Sequence, residues 1–420
     1  MRAALAFFLT ILVVGCITFL FVIAFKPPDN IRLATGVRGG GYWQIGELYK
    51  AELAKDDIAL ELIETAGSID NVRLLAAGEV DIALVQGGLT LSQNQGLQSL
   101  GAIFLEPIAI FRNARTQLDP NAGEWQGLKL AAGPVGSGTR AATQALIAAA
   151  QVVDAGIELL EIGGADALTA VRDGTADAAL FVAPLAAPYL MEAIFDPEII
   201  FVPMSLVDAL ALKLPGAIVA TVPAGSLTLD PPRPPADVKL LALKASMLAG
   251  PDLHPALVDR IVRASIVLHS DRDILHDFRE YPSVDSPPVP VNDSAREHIL
   301  EGPNLLHNFF PYWIAAQFGS VLLLVLPVLF LAPPILQSIP LAYGWFQKRR
   351  IWNNYQSIGT LEEQLTEAET VSELEAVSAK LEELDAVLAN MKLPLAYRQG
   401  AYDARLHVDL IRQEVNRRLE

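Results

Sequence analysis

The chain is poor in the residue types that carry most redox, metal and nucleophile chemistry. Its 420 residues include one cysteine, Cys16, which excludes an intrachain disulfide and leaves no pairing from which to read a redox compartment. There are six histidines; His269 and His276 stand two turns apart on an expected helix, the spacing of a surface stripe rather than of a metal site. Bases number 31 against 48 acids, and the resulting formal charge of −17 would repel a polyanion, so nucleic acid is excluded as a partner. Aromatics supply only 7% of residues although 52% are hydrophobic, so the apolar character is aliphatic. A mean hydropathy of +0.35 is high for a soluble protein and points to membrane-embedded segments.

The nucleotide motifs are missing as well. Gly36-x-x-Gly-Gly-Gly41 lacks the spacing of a dinucleotide fingerprint, although Glu61 or Glu64 stands where a ribose-binding acid would. Gly133-Pro-Val-Gly-Ser-Gly-Thr139 is followed by Arg140 and lacks the Lys-Ser/Thr of a phosphate-binding ATPase loop. Ser137 has no His and acid that can be placed beside it, so no nucleophile, catalytic residue, metal or cofactor is expected and the chain does not read as an enzyme.

What is present is a repeated junction. Leu33-Ala-Thr-Gly-Val-Arg-Gly-Gly-Gly-Tyr-Trp-Gln-Ile-Gly46 reads as a strand, a glycine loop and a helix start, and Leu128-Lys-Leu-Ala-Ala-Gly-Pro-Val-Gly-Ser-Gly-Thr-Arg140 repeats it. A second pair keeps the same offset, matching Gly78 to Gly174 and Asp81 to Asp177, both aspartates being expected to fix loops through side-chain-to-backbone bonds. Helix starts of this kind present unpaired N–H groups and partial positive charge to an anion. Two such α/β units suggest two lobes with a ligand between their loops.

In chain order, residues 1–26 hold an apolar run of about 23 residues between Arg2 and Lys26, long enough to span a bilayer. The alternative is a lipidated Cys16, since Val13-Val-Gly-Cys16 loosely fits a lipoprotein signal. Residues 27–112 form the first lobe, with strands at 31–35, 58–64 and 80–86 and helices at 42–54 and 69–77. Residues 113–216 form the second lobe, and 217–308 return to the first, residues 215–222 being read as the return crossing. A second membrane helix is expected within 309–347: aromatics flank the apolar 315–336, Pro327 and Pro333-Pro334 should kink it, and Lys348-Arg-Arg350 marks its cytoplasmic side. Residues 348–420 read as a cytoplasmic helical hairpin, with a coiled-coil-type seam of Leu374, Val377, Leu381, Leu384, Leu388 and Met391 before Pro394 and a stripe of Ala401, Ala404, Val408, Ile411, Val415 and Leu419 after it. The hairpin either self-packs, dimerises or docks a cytoplasmic partner through 360–420. The resulting expectation is a protein of the bacterial inner membrane with two spans, an acidic periplasmic two-lobe region and both termini in the cytoplasm.

Thr35-Gly-Val-Arg-Gly-Gly-Gly-Tyr-Trp-Gln-Ile-Gly46 resembles the first signature of the TAXI family, the extracytoplasmic solute receptors of TRAP transporters. Ala66-Gly-Ser-Ile-Asp-Asn-Val-Arg-Leu-Leu75, Val80-Asp-Ile-Ala-Leu-Val-Gln86, Asp252-Leu-His-Pro-Ala-Leu-Val258 and Gly302-Pro-Asn-Leu-Leu-His-Asn-Phe-Phe-Pro-Tyr-Trp313 continue the likeness, which spans about residues 31–314. The resemblance implies an α/β, two-lobe, hinged periplasmic-binding-protein fold of type II, TRAP membrane subunits as partners, and a small organic acid such as a dicarboxylate or glutamate-like compound as ligand. It implies no catalysis. That family usually carries Thr at the positions of Arg38 and Gly41, so here two hydroxyls are absent and a guanidinium is added. The candidate ligand-binding residues are Thr35, Arg38, Gly40, Gly41, Tyr42, Ser68, Asn71, Gln86, Gly136, Ser137, Gly138, Thr139 and Phe181, with Arg38 as the carboxylate clamp. A different reading is a transmembrane sensor that reports lobe closure through the hairpin.

Overall fold

The computed structural model describes residues 11–12, 15–16, 18–20, 26–89, 96–152, 155–285, 287–303 and 305–419. They fall into two compact units, Lys26–Val321 and the pair of segments Met1–Phe25 and Leu322–Glu420.

Within Lys26–Val321, β1 (Asn30–Ala34), α1 (Gly41–Leu53), β2 (Ala59–Ile63), α2 (Ser68–Ala76) and β3 (Ile82–Val85) build a parallel βαβαβ unit with strand order β2-β1-β3. After β4 (Gln98–Asn113) the pattern recurs as β5 (Lys129–Ala131), α3 (Gly138–Ala149), β6 (Glu158–Leu160), α4 (Gly164–Asp173) and β7 (Ala178–Val182), ordered β6-β5-β7. The repeat extends to single bonds. Asp81 Oδ2 accepts the Arg32 amide at 2.7 Å and Asp177 Oδ2 accepts the Lys129 amide at 2.7 Å, each tying one strand to the residue before its neighbour.

Two long strands join the lobes. β4 pairs with β12 (Val238–Ala249) through its first part, up to Pro107, then with β7 from Ile108 onward and with β8 (Ile199–Phe201). β12 runs back antiparallel, pairing β9 (Ala217–Val222) over its first half and β3 over its last residues. The return crossing is therefore β12, not residues 215–222. Six residues of β9 reach only one half of β12, whereas the twelve residues of β12 are long enough to serve both lobes. Between β9 and β12 lies a small hairpin of β10 (Thr228–Leu229) and β11 (Pro232–Arg233).

The alternation of strand side chains gives each lobe its core. In the first lobe Leu33, Ile82, Leu100, Ile103 and Met247 meet Tyr49 and Leu53 of α1 and Leu257 and Ile261 of α7 (Pro255–His269). In the second, Ile108 and Ile110 of β4 point to one face with Trp125, Leu130 and Leu146, while Ala109 and Phe111 point to the other with Leu168, Val171 and Leu190. Helices α5 (Pro188–Phe195), α6 (Val207–Lys213) and α8 (Asp293–Glu301) complete this unit. Near its end begins α9 (Tyr312–Glu367), which carries Pro327, Pro333, Pro334 and Pro340.

Among the described residues no helix is long and apolar enough to cross a membrane, so the two expected spans gain no support from them. The first span, within 1–26, lies mostly outside the described residues, and side chains of the second at 320, 321, 324, 325, 328, 329 and 332 do as well. In the C-terminal unit the expected hairpin is α10 (Val371–Ala389) and α11 (Arg398–Leu419), and a third helix joins it. Ile358, Leu361 and Leu365 of α9 are buried with Leu374, Val377, Leu381, Leu384 and Leu388 of α10 and Ala404, Val408, Ile411 and Val415 of α11. Two seams facing only each other would leave each helix half wet, and the third helix covers them. Leu419 stays 38% exposed. Thr370 and Glu373 form a capping box that starts α10.

Candidate functional site

Between the lobes of Lys26–Val321 lies a cleft of about 640 Å³, within the range of small-molecule sites. The two glycine loops face each other across it. The lobes touch at its edge: the Ile69 amide donates to the Gly136 carbonyl at 3.1 Å, and Gln86 Nε2 donates to the Gly138 carbonyl at 3.1 Å. These contacts need the missing side chains of glycine. A Cβ on Gly138 would lie 2.5 Å from Gln86 Oε1, one on Gly67 3.1 Å from Ser137 Cα, and one on Gly41 3.0 Å from Pro184 Cδ. The space a threonine would need at Gly41 is thus taken by the opposite lobe.

Three of the helix starts lining the cleft lack a side-chain cap. α1, α2 and α4 begin after Gly40, Gly67 and Gly163, none of which offers a side-chain cap. By contrast, His254, Asn292 and Thr370 cap α7, α8 and α10 through their side chains. Uncapped first-turn amides are available to a ligand, and the helix dipole favours a negative one.

The floor is Glu106, on β4 at the point where that strand changes partner from β12 to β7. It is 1% exposed, and Tyr42 Oη donates to its Oε2 at 2.9 Å. Burial pushes the Glu106 carboxyl up to about 8 against the opposing pull of that hydrogen bond, so it is mostly protonated at neutral pH. Burial, with the nearby Glu106, also pushes the Tyr42 hydroxyl well up. Sequence reasoning missed Glu106. Its signal was the lone acid inside the apolar run from Leu97 to Phe111, since an unpaired charge in a buried strand needs a reason.

Of the expected ligand-binding residues, Arg38, Gly40, Gly41, Tyr42, Ser68, Gln86, Ser137, Gly138, Thr139 and Phe181 line the cleft. Three do not. Thr35 is fully buried, with Oγ1 donating to the Ile63 carbonyl at 3.0 Å. Asn71 is also fully buried; its Nδ2 donates to the Thr35 and Leu84 carbonyls and its Oδ1 accepts from Thr65, so it holds the loop behind the cleft together. Gly136 meets Ala66 across the lobes.

Arg38 is on the rim rather than in the floor. Its side chain is 74% exposed, its Nε lies 4.0 Å from Glu64 Oε2, its backbone amide donates to Glu64 Oε1 at 3.0 Å, and its guanidinium sits 5.0 Å from the Trp43 ring centroid. Some hydroxyls are already engaged: Ser137 Oγ accepts the Arg140 amide as the cap of α3, and Ser68 Oγ accepts the Gln86 amide. The second lobe adds Glu161, Asp166, Tyr189 and Glu192, none of them expected. Glu192 is paired with Arg172 at 2.5 Å.

The histidines also depart from the expectation. His269 is no surface stripe: it is buried against Tyr49 and Phe104, which pushes its imidazole down to about 4. His276 packs on Tyr281. His298 and His307, not singled out from the sequence, converge on Asp259 away from the cleft.

Two α/β units joined by the long strands β4 and β12 thus enclose the cleft. Solved structures similar to this chain include the substrate-binding protein of an amino acid ABC transporter (11% identity, 56% of this chain and 91% of that one, TM-score 0.37). Others are an ancestral arginine-binding protein bound to arginine (14%, 59% and 95%, TM-score 0.39) and the alkanesulfonate-binding protein SsuA from Xanthomonas axonopodis pv. citri bound to MOPS (13%, 58% and 73%, TM-score 0.38). No curated protein matches the sequence. The family profile that matches does so over residues 33–267, more than half of the 420, from the first strand through most of α7, and so takes in both glycine loops and both crossing strands: the chain belongs to the NMT1-like family.

Proposed function

We propose that this protein is an extracytoplasmic solute receptor that closes two lobes on a small organic anion, a dicarboxylate or glutamate-like acid, and delivers it to a TRAP-type secondary transporter. One observation carries the reading: three helix starts, at Gly40, Gly67 and Gly163, carry no side-chain cap around one cleft, and of their first-turn amides that of Ile69 is taken by the Gly136 carbonyl. A protonated Glu106 in the floor adds a donor instead of a repelling charge. Tyr42, Ser68 and Gln86 would read the other polar groups of the acid, Phe181 and Tyr189 would cover its apolar part, and Arg38 on the rim would attract it. The TAXI-like motifs support the transporter. A membrane tether rests on the length of the two apolar runs and on Lys348-Arg-Arg350.

The test is calorimetric titration of the purified full-length protein in detergent with dicarboxylates, glutamate, sulfonates, and neutral and cationic solutes. Binding of an organic acid is expected; binding of neutral or cationic solutes alone would overturn the assignment. Protease added outside spheroplasts should remove 30–305 and spare 350–420, and protected lobes would sink the periplasmic placement. The sensor reading is favoured by one feature, the separately folded three-helix C-terminal unit, which is more than a tether needs. Genes for TRAP membrane subunits beside this one would support uptake, and a neighbouring kinase would support signalling.

A further inference from the structure

Outside the cleft, α7, α8 and the turn Leu305–Asn308 bring three metal-ligating side chains to one point. Asp259 is 2% exposed; His298 Nε2 lies 2.6 Å from its Oδ1 and His307 Nε2 lies 2.9 Å from its Oδ2. The ring centroids are 5.7 Å apart at 88°, and the three ligand atoms all lie within 4.8 Å of one another. Asp259 Oδ1 and His298 Nε2 are buried without a hydrogen-bond partner despite their closeness. His298 Nδ1 is 3.3 Å from the Ser294 carbonyl. A carbonyl only accepts, so Nδ1 carries the ring proton and a neutral His298 turns the lone pair of Nε2 toward the carboxylate. Two lone pairs at that separation require a cation between them, either a second ring proton on His298 or a metal ion. Arg260, the next residue, does not supply it, because its guanidinium is bound to Glu52 and Asp56.

We propose that Asp259, His298 and His307 bind a divalent transition metal, with zinc the best match. Two imidazoles and one carboxylate make a common zinc ligand set, with bonds of about 2.0–2.2 Å and a fourth position left to water. A tetrahedral complex needs ligand atoms about 3.3 Å apart, so the rings and carboxylate separate by less than about 1 Å to admit the ion. The Ser294 carbonyl fixes the His298 tautomer, as partners of metal-bound imidazoles do. The ion would pin the chain leaving α8 to α7, far along the sequence from either glycine loop.

The experiment is titration of zinc chloride into chelator-treated full-length protein in detergent, read with a competing chromophoric indicator. One zinc per chain with a Kd below about 1 μM is expected, together with a rise in Tm on adding zinc. The His298→Gln, His307→Gln double variant should bind at least about 100-fold more weakly and show no Tm shift. Should that variant fail to fold by circular dichroism, Asp259→Asn, which keeps the shape, should weaken zinc at least about tenfold. Absence of stoichiometric zinc in the wild type would mean that a proton bridges these groups, and equal binding in a folded variant would place zinc elsewhere. Either result overturns the proposal.

Discussion

In the first lobe both cleft-facing helices, α1 and α2, start at glycines that cap nothing, whereas the second lobe mixes the two kinds: α4 starts at the uncapped Gly163, and α3 at Ser137, whose hydroxyl takes up the Arg140 amide. The first lobe brings Tyr42, Ser68 and Gln86 to the cleft, and the second brings Thr139, Phe181, Tyr189 and the acids Glu161, Asp166 and Glu192. The same βαβαβ unit, with the same aspartate-to-amide bond at Asp81 and Asp177, has thus been given two faces. The difference teaches that the repeat sets the backbone and the cap residue sets what that backbone offers. On the proposed reading the first lobe offers the anion two uncapped helix starts and the second lobe one, at Gly163.

The largest way to break this division is Gly138→Ala, which puts a methyl 2.5 Å from Gln86 Oε1 and 3.0 Å from Ser68 Oγ. Both neighbours belong to the other lobe, so folding should be retained while closure is lost. Affinity for the cognate acid should fall by about 100-fold, near 2.7 kcal/mol, by calorimetry. Next comes Glu106→Gln. At acid pH both folded and unfolded chains hold the Glu106 proton; between the ordinary carboxylate range and about 8 only the folded chain does, so wild-type stability should decline as pH rises through that window. Denaturant melts at several pH values should show that decline reduced in Glu106→Gln. Anion affinity in the wild type should drop above about pH 8, and the variant should lose this dependence.

Ser137→Ala tests the capped start of α3. Loss of the cap should cost about 1 kcal/mol of stability, with affinity changed less than about threefold, because the hydroxyl is already spent on Arg140. A large affinity loss with unchanged stability would move Ser137 among the binding residues. The smallest effect is expected for Arg38→Ala, since that guanidinium is solvated and faces Glu64 and Trp43. Equilibrium affinity should change less than about threefold, and the association rate should slow at low salt and recover at high salt.

Much of the first lobe was legible because its signals are local. Glycines before an apolar-periodic stretch announce a strand-to-helix junction, and repetition at a fixed offset announces a second copy. Ten of the thirteen expected ligand-binding residues do line the cleft for that reason. Thr35 and Asn71 turned inward because their polar atoms satisfy backbone carbonyls buried behind the loop, a demand set by neighbours 28 and 36 positions away. Arg38 stands on the rim, its side chain solvated beside Glu64 and Trp43.

By itself the sequence determined the two α/β repeats, the glycine loops, the acidic charge and the apolar seams of the C-terminal helices, all of which follow from short-range periodicity and backbone freedom. Tertiary structure alone decided which strand returns between the lobes, that a third helix covers the C-terminal seams, that Glu106 is the buried floor of the cleft, and that Asp259 meets His298 and His307. The reason is physical: pairing register, burial and charge proximity depend on residues distant in the chain, 39 positions for Asp259 and His298 and up to 151 for β4 and β12, and nothing in a local pattern encodes a distance through space.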